Sequence, residues 1–219
     1  MPSLTIENYV KTIYQIGARD GGESAATGEI ASTLQVSPGT VTSMLKTLSE
    51  SGLATYAPYE GVSLTDAGRA LALRIVRRHR LIEVFLAQTL GLSWDEVHEE
   101  AEHMEHAVSD RLIDRIDAHL GHPKTDPHGD PIPTADGDIE DTHTHSLLDL
   151  TVGEKFRLVR VIDQSSGFLQ YLSDVGLILG VDAEVTDNRP EAGVMTLRLE
   201  SGTATIGRTA AAKLLVYVE

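Results

Sequence analysis

The 219-residue chain is 41% hydrophobic, carries a formal net charge of −15 and has no cysteine. Without cysteine there can be no disulfide, thiolate zinc site or iron–sulfur cluster, and no apolar run approaches the ~20 residues of a membrane span. The opening MPSLTIENYV lacks the basic region and apolar core of a secretory signal, so a soluble cytoplasmic protein with no membrane partner is expected. The charge is unevenly spread. Residues 1–78 hold seven basic and seven acidic residues, residues 79–150 four and seventeen, and residues 151–219 seven and nine. All nine histidines lie between His79 and His145, which divides the chain into a neutral first third, an acidic, histidine-bearing middle and a near-neutral end.

Ile6, Val10, Ile13 and Ile16 recur at helical spacing over 4–18, and Asp20-Gly21-Gly22 breaks the pattern. A second helix is expected after Thr27 as its N-cap, burying Ile30, Ala31 and Leu34. Ser37 can cap a third helix with Pro38 in its first position. That helix buries Val41, Leu45 and Leu48 and turns Gly39, Thr40, Thr42, Ser43 and Lys46 outward. Two β-prone runs around Pro58-Tyr59-Glu60-Gly61 then form a hairpin. Helix, helix–turn–helix and hairpin is the order of a winged helix–turn–helix. The small, hydroxylated outer side of the third helix suits a DNA major groove.

A long helix runs from Thr65-Asp66 to about Leu90, with His79 and Glu83 four residues apart on one face. After Gly91, Ser93 starts a helix containing EVHEEAEHMEH, residues 96–106, which has five glutamates, three histidines and no basic residue. Continued as a helix, this stretch puts His98, Glu102, Glu105 and His106 within about 100° of arc. Clustered like charges at helical spacing destabilise, so the cluster calls for a cation, and a divalent metal is the simplest. Glu96, Glu100 and His103 point away, towards solvent. A further helix covers 109–120, and the apolar faces of this region exceed what its own core needs, which suggests a homodimer. Residues 121–150, rich in Pro, Gly, Asp and His, read as an extended connection without continuous helix or strand. Residues 151–219 alternate five β-prone runs with glycine turns around one helix-like insertion, FLQYLSDVGL, and suggest a five-stranded barrel of the SH3 kind.

In order and spacing, VSPGTVTSMLKTLSESGL, RRHRLIEVFL, VHEEAEHMEH, DPHGDPIP and the C-terminal barrel resemble the diphtheria toxin repressor family of metal-dependent transcriptional regulators, and its manganese transport regulator branch in particular. The resemblance covers essentially the full length. It implies a mainly α fold with a small all-β C-terminal domain: a winged helix–turn–helix at 1–72, a helical dimerisation and metal-binding domain at 73–121, a linker at 122–150, and an SH3-like (FeoA-like) domain at 151–219. It implies a primary metal site at Asn8, Glu102, Glu105 and His106. An ancillary site would use His79, Glu83 and His98, with Asp126, His128 and Asp163 (or Gln164) joining from the linker and barrel. Thr27, Ser37, Pro38, Gly39, Thr40, Thr42 and Ser43 would meet DNA, with Lys46 and the wing residue Tyr59 on its backbone.

Iron-sensing members of that family place a cysteine where Glu102 stands and a methionine where Asn8 stands. Oxygen and imidazole without sulfur suit Mn(II), while Fe(II), Co(II) and Zn(II) are also accommodated. Manganese-sensing relatives often have an aspartate at the Asn8 position, and some a glutamate at Lys11, so two separated single-ion sites are expected here rather than a tight two-metal cluster. The expected function is a Mn(II)-sensing repressor of metal-homeostasis genes that binds a palindromic double-stranded operator as a dimer. The alternative is an Fe(II)-responsive regulator of the same family. A metallohydrolase or metal buffer stands outside that class. HEEAEH spaces its histidines five apart, not the four of a zincin, and no phosphate loop or nucleophile elbow is present, so neither an enzyme nor a small organic substrate is expected.

Overall fold

Tyr9, Val10, Ile13 and Ile16 are buried along one side of α1 (Leu4–Arg19) and begin the core of the N-terminal part. The computed structural model describes residues 3–19, 24–57, 60–140 and 143–218, so the proposed wing contact Tyr59 lies outside the described residues. Two units result. One comprises Met1–His79, His103–Asp110 and Pro133–Ile139, and the other Arg80–Glu102, Arg111–Ile132 and Glu140–Glu219.

In the first unit, α2 (Thr27–Thr33) and α3 (Pro38–Glu50) form the helix–turn–helix. Thr27 is the first helical residue, not the cap. Ala26 holds the extended cap position and offers no side-chain hydrogen bond, having no acceptor to offer. Ser37 caps α3 as expected, its hydroxyl accepting from Thr40 N at 3.1 Å, with Pro38 following. Val41, Leu45 and Leu48 pack inward with Ile30 and the α1 residues. The wing strands β2 (Ala54–Ala57) and β3 (Gly61–Leu64) pair antiparallel, and β1 (Ser24–Ala25), too short to register in a sequence pattern, adds to β3. Thr65 then caps α4 (Asp66–Phe85): its hydroxyl accepts from Gly68 N and donates to Gly52 O.

α4 runs on into the second unit and ends in a π-helical turn, Leu86–Leu90, closed by left-handed Gly91 and a bond from Leu92 N to Leu86 O. Ser93 and Glu96 cap each other reciprocally ahead of α5 (Val97–Met104): Ser93 N donates to Glu96 Oε2, and Glu96 N to Ser93 O. The expected helix through His106 stops two residues early, and Glu105 and His106 lie in a turn. The next helix, α6 (Asp110–His119), follows after residues 105–109, and its first residue is held by Arg74 and Arg78.

The C-terminal sheet has strand order β4-β9-β5-β6-β7-β8, from β4 (His145–Ser146), β5 (Lys155–Val161), β6 (Asp182–Arg189), β7 (Val194–Leu199), β8 (Gly202–Gly207) and β9 (Leu214–Val218). The expected insertion is α7 (Ser166–Asp174), and a short α8 (Arg208–Ala211) precedes β9. The linker expected to run to residue 150 therefore ends earlier. β4 pairs with β9, and Leu147 and Leu150 are buried in the β core beside Phe156 and Leu158, giving SLLDL an apolar anchor. Among the described residues no helix is long and apolar enough to cross a membrane.

Candidate metal centres

In the first unit, α1 and the turn after α5 bring together Glu7, Asn8 and Lys11 with Glu105 and His106, and α4 adds His79. Glu105 is completely buried. Lys11 Nζ donates to its Oε1 at 2.9 Å and its Oε2 at 2.7 Å, and His79 Nδ1 lies 2.6 Å from Oε2. Two nitrogen-to-oxygen contacts this short need a proton in each, so His79 Nδ1–H donates to Glu105. The 3.3 Å approach of Lys11 Nζ to the same ring nitrogen then has no lone pair to use. His106 Nδ1 lies 2.7 Å from Glu7 Oε2, which makes Nδ1–H the donor and leaves the lone pair on Nε2. That Nε2 sits 3.2 Å from Glu105 Oε1 without hydrogen-bond geometry. Asn8 Oδ1 is likewise a buried acceptor with no hydrogen bond inside the protein. Both are lone-pair donors from which a buried site would lose stability if nothing met them. An amide oxygen and an imidazole nitrogen beside a carboxylate are ligand types that a divalent cation takes, so the donor set fits one.

The second unit contains a fully enclosed group. Glu83 on α4 and Asp126 and His128 on the linker are all buried and offer donor atoms within 4.8 Å of one another. His128 Nε2–H donates to Trp94 O at 2.7 Å, which fixes the tautomer and turns the Nδ1 lone pair towards Glu83 Oε1 at 3.7 Å and Asp126 Oδ1 at 4.0 Å. Those distances exceed a hydrogen bond, and Nδ1 makes none. Burial lowers the His128 imidazole's pKa, against the pull of the Glu83 carboxylate. Burial also pushes the Asp126 carboxyl well above the usual range, helped by Asp130 and Glu83 and opposed by Arg80. His98 Nδ1 approaches Glu83 Oε1 at 3.2 Å from the solvent side. Lone pairs facing lone pairs in a buried pocket is an arrangement that a cation resolves.

The loop that carries this group is seated on the sheet. Val161 N donates to His128 O, Gly129 (φ +87°) lies against Val159 O, and Arg80 donates to Pro131 O. Asp126 Oδ1 accepts from His128 N and Asp130 N, while Asp130 is paired with Arg160 and accepts from Gln164. Asp163 is not brought to the group. Its Oδ2 accepts from Lys213 at 2.6 Å and its Oδ1 from Ser165 N, which places the expected ligand in a separate ion pair. Gln164, the alternative, donates to Asp130 Oδ2 at 2.7 Å.

On the helix–turn–helix, Ser37, Pro38, Gly39, Thr40, Ser43 and Lys46 are exposed and Thr42 is half-buried. Thr42 and Lys46 of α3, Thr27 of α2 and Tyr56 of the wing line a groove of about 730 Å³. Thr42 and Ser43 donate back to Pro38 O and Gly39 O, so their oxygens still present lone pairs outward.

Residues 1–62 match a family described as "Iron dependent repressor, N-terminal DNA binding domain", residues 65–134 its "metal binding and dimerisation domain", and residues 145–218 the FeoA domain. The chain is 32% identical to the diphtheria toxin repressor of Corynebacterium efficiens over 84% of each chain. It belongs to the diphtheria toxin repressor family. The family's iron-dependent repressor IdeR of Mycobacterium leprae is 34% identical over 74% of this chain and 67% of its own length, and the mycobacterial relatives extend further, so that this chain spans 55% of the Mycobacterium tuberculosis one. A solved structure described as a manganese-dependent transcriptional repressor in complex with manganese superposes with a TM-score of 0.90 at 38% identity, covering 98% of this chain and all of the other. His79 Nδ1 lies 2.6 Å from Glu105 Oε2 in the first unit. Glu102 is in the last turn of α5, half-exposed, 4.0 Å from His98 Nε2. Glu7 and Asp130 were not singled out as site residues.

Proposed function

We propose that this chain is a metal-dependent transcriptional repressor whose activating ion is Mn(II), and that it binds a palindromic operator as a homodimer. Membership of the repressor family supports the class. The observation that carries the metal reading is the pair of buried, unbonded donors Asn8 Oδ1 and His106 Nε2 beside the buried Glu105 carboxylate. Glu105 and His106, with Asn8, would hold one ion. Glu83, Asp126 and His128, with His98 at their edge, would hold a second. These are hard oxygen and imidazole donors without sulfur, which favours Mn(II) over a soft-ligand site and leaves Fe(II), Co(II) and Zn(II) as competitors.

The bound ion supplies positive charge and a fixed coordination geometry. The chain's part is to tie α1, through Asn8 and the Glu7–His106 bond, to the turn after α5. Holding α1 fixes the helix–turn–helix core packed on it, and in a dimer this sets the separation of two α3 helices against half-sites about one helical turn apart, or multiples of it. It also lowers the negative charge near DNA. The reading is a binding function with no catalytic step.

The test is to select duplexes from a random library in Mn(II), then measure affinity for a selected site by anisotropy in Mn(II) and in excess chelator. A loss of at least a hundredfold on chelation is expected. Equal affinity in the two conditions refutes metal activation. An iron-responsive repressor would show the same loss but restore binding at lower free Fe(II) than Mn(II) in an anaerobic titration.

A further inference from the structure

Lys11 presents a cation to the very carboxylate assigned above to the metal. It lies on α1, one turn after Asn8, and is 4% exposed, while Glu105 is 0% exposed. Its ammonium holds both oxygens of Glu105, at 2.9 and 2.7 Å. A buried carboxylate left without a counter-charge is strongly destabilising, so this contact steadies the turn that carries Glu105 and His106. The same contact stands in the way of a divalent ion. The ion would need Glu105 lone pairs that Lys11 already engages, and it would be seated within a few ångströms of a positive charge in a poorly screened interior.

We propose that Lys11 is a built-in competing cation. It holds Glu105 in place when no metal is bound, opposes the ion's entry, and so sets the metal concentration at which the Asn8–Glu105–His106 centre fills. The inference rests on the assignment of those residues as ligands. What changes is which cation Glu105 serves. Its position on α1 adds a consequence: the exchange occurs on the helix against which the helix–turn–helix packs, so Lys11 and Asn8 compete over the placement of one element.

The experiment compares the full-length wild type with Lys11→Met, Lys11→Gln and Lys11→Arg. Mn(II) affinity is measured by competition with a chromogenic chelator, and thermal melts are followed by circular dichroism with and without Mn(II). Both neutral variants are expected to melt lower than wild type without metal, to bind Mn(II) at this centre at least tenfold more tightly, and to regain the lost melting temperature when loaded. Lys11→Arg is expected to stay within threefold of wild-type affinity. The emission of Trp94, which abuts His128, gives a control, since the affinity it reports for the other centre is expected to be unchanged. Affinity unchanged or weakened in both neutral variants overturns the inference while leaving the ligand assignment intact. Wild-type protein whose Mn(II) uptake is unaffected by Glu105→Ala refutes the ligand assignment itself, and the role of Lys11 falls with it. If the neutral variants do not fold without metal, refolding in Mn(II) is expected to rescue them, and failure of that rescue also overturns the inference.

Discussion

Replacing Glu83 by glutamine should have opposite consequences with and without metal. Glu83, Asp126 and His128 crowd donor atoms within 4.8 Å in a fully buried pocket. Two carboxylate charges at that separation, in an effective dielectric of about 20, repel by about 3.5 kcal/mol. Burial is the main cause of both the raised Asp126 carboxyl and the lowered His128 imidazole, and the Glu83 charge adds to the first shift and opposes the second. Glutamine keeps the shape and removes one charge. Without metal, Glu83→Gln is therefore expected to equal or exceed the wild type in stability, to within about 1 kcal/mol. With metal at a hundred times its Kd, a filled site adds about 2.7 kcal/mol. For a chain of this size that is about 5–11 °C in melting temperature, at about 2–4 °C per kcal/mol. The variant should lose one such increment. Urea titrations with and without Mn(II), followed by emission from Trp94, report the locality directly. It is the sole tryptophan, and its ring stacks near His128 at a centroid distance of 6.4 Å. A variant that is 3 kcal/mol less stable without metal, yet keeps its full metal increment, would show the group to be a structural hydrogen-bond network and refute the reasoning.

Glu105→Gln leaves the Lys11 ammonium buried without its partner and is expected to cost about 3–5 kcal/mol in chemical denaturation without metal, most of it recovered when Lys11→Met is added to the same chain. Gly129→Ala is expected to destabilise the second unit, because a Cβ there would stand 1.9 Å from Val159 O at φ +87°. Backbone strain alone is worth about 1–3 kcal/mol, and an unchanged urea midpoint would contradict the tight seating of the loop. Ser37→Ala removes the acceptor for Thr40 N and should cost about 1 kcal/mol of stability. Lys46→Ala is expected to weaken binding to every duplex by a similar factor and to reduce the slope of log affinity against log salt by about 1, whereas a change in sequence preference would place Lys46 on a base edge.

What could be read in the sequence was whatever is written in local spacing. The Ser37-Pro38 start of α3, the apolar repeat of α1 and the alternation of β5–β9 are set by residues a few positions apart, and each forms as expected. The carboxylate-rich EVHEEAEHMEH ends at the turn where Glu105 and His106 meet α1. The rest depends on partners far along the chain. Lys11 and Glu105 are 94 residues apart, and Glu7 and His106 are 99. Nothing in α1 alone reveals that a glutamate and a lysine four residues apart face inward to separate partners and not each other on the surface. α5 ends at Met104, and Asp110 further on is held by Arg74 and Arg78, tertiary contacts that helical periodicity does not record. Asp163 was placed by alignment through a barrel in which one residue's slip exchanges an inward side chain for an outward one, and its carboxylate is held by Lys213.

The loop of residues 126–132 has a consequence for how such a protein can change over time. Backbone atoms do much of its anchoring: His128 O receives Val161 N, Gly129 lies flat against Val159 O, and Pro131 O is held by Arg80. The side chains at 126 and 128 are thus presented by a mount in which they have only a partial share. A mutation at His128 alters what the pocket prefers without removing the backbone contacts that position it. On the proposed reading, one seated loop could in this way be refitted for a different ion by single substitutions, each of which leaves the fold available for the next.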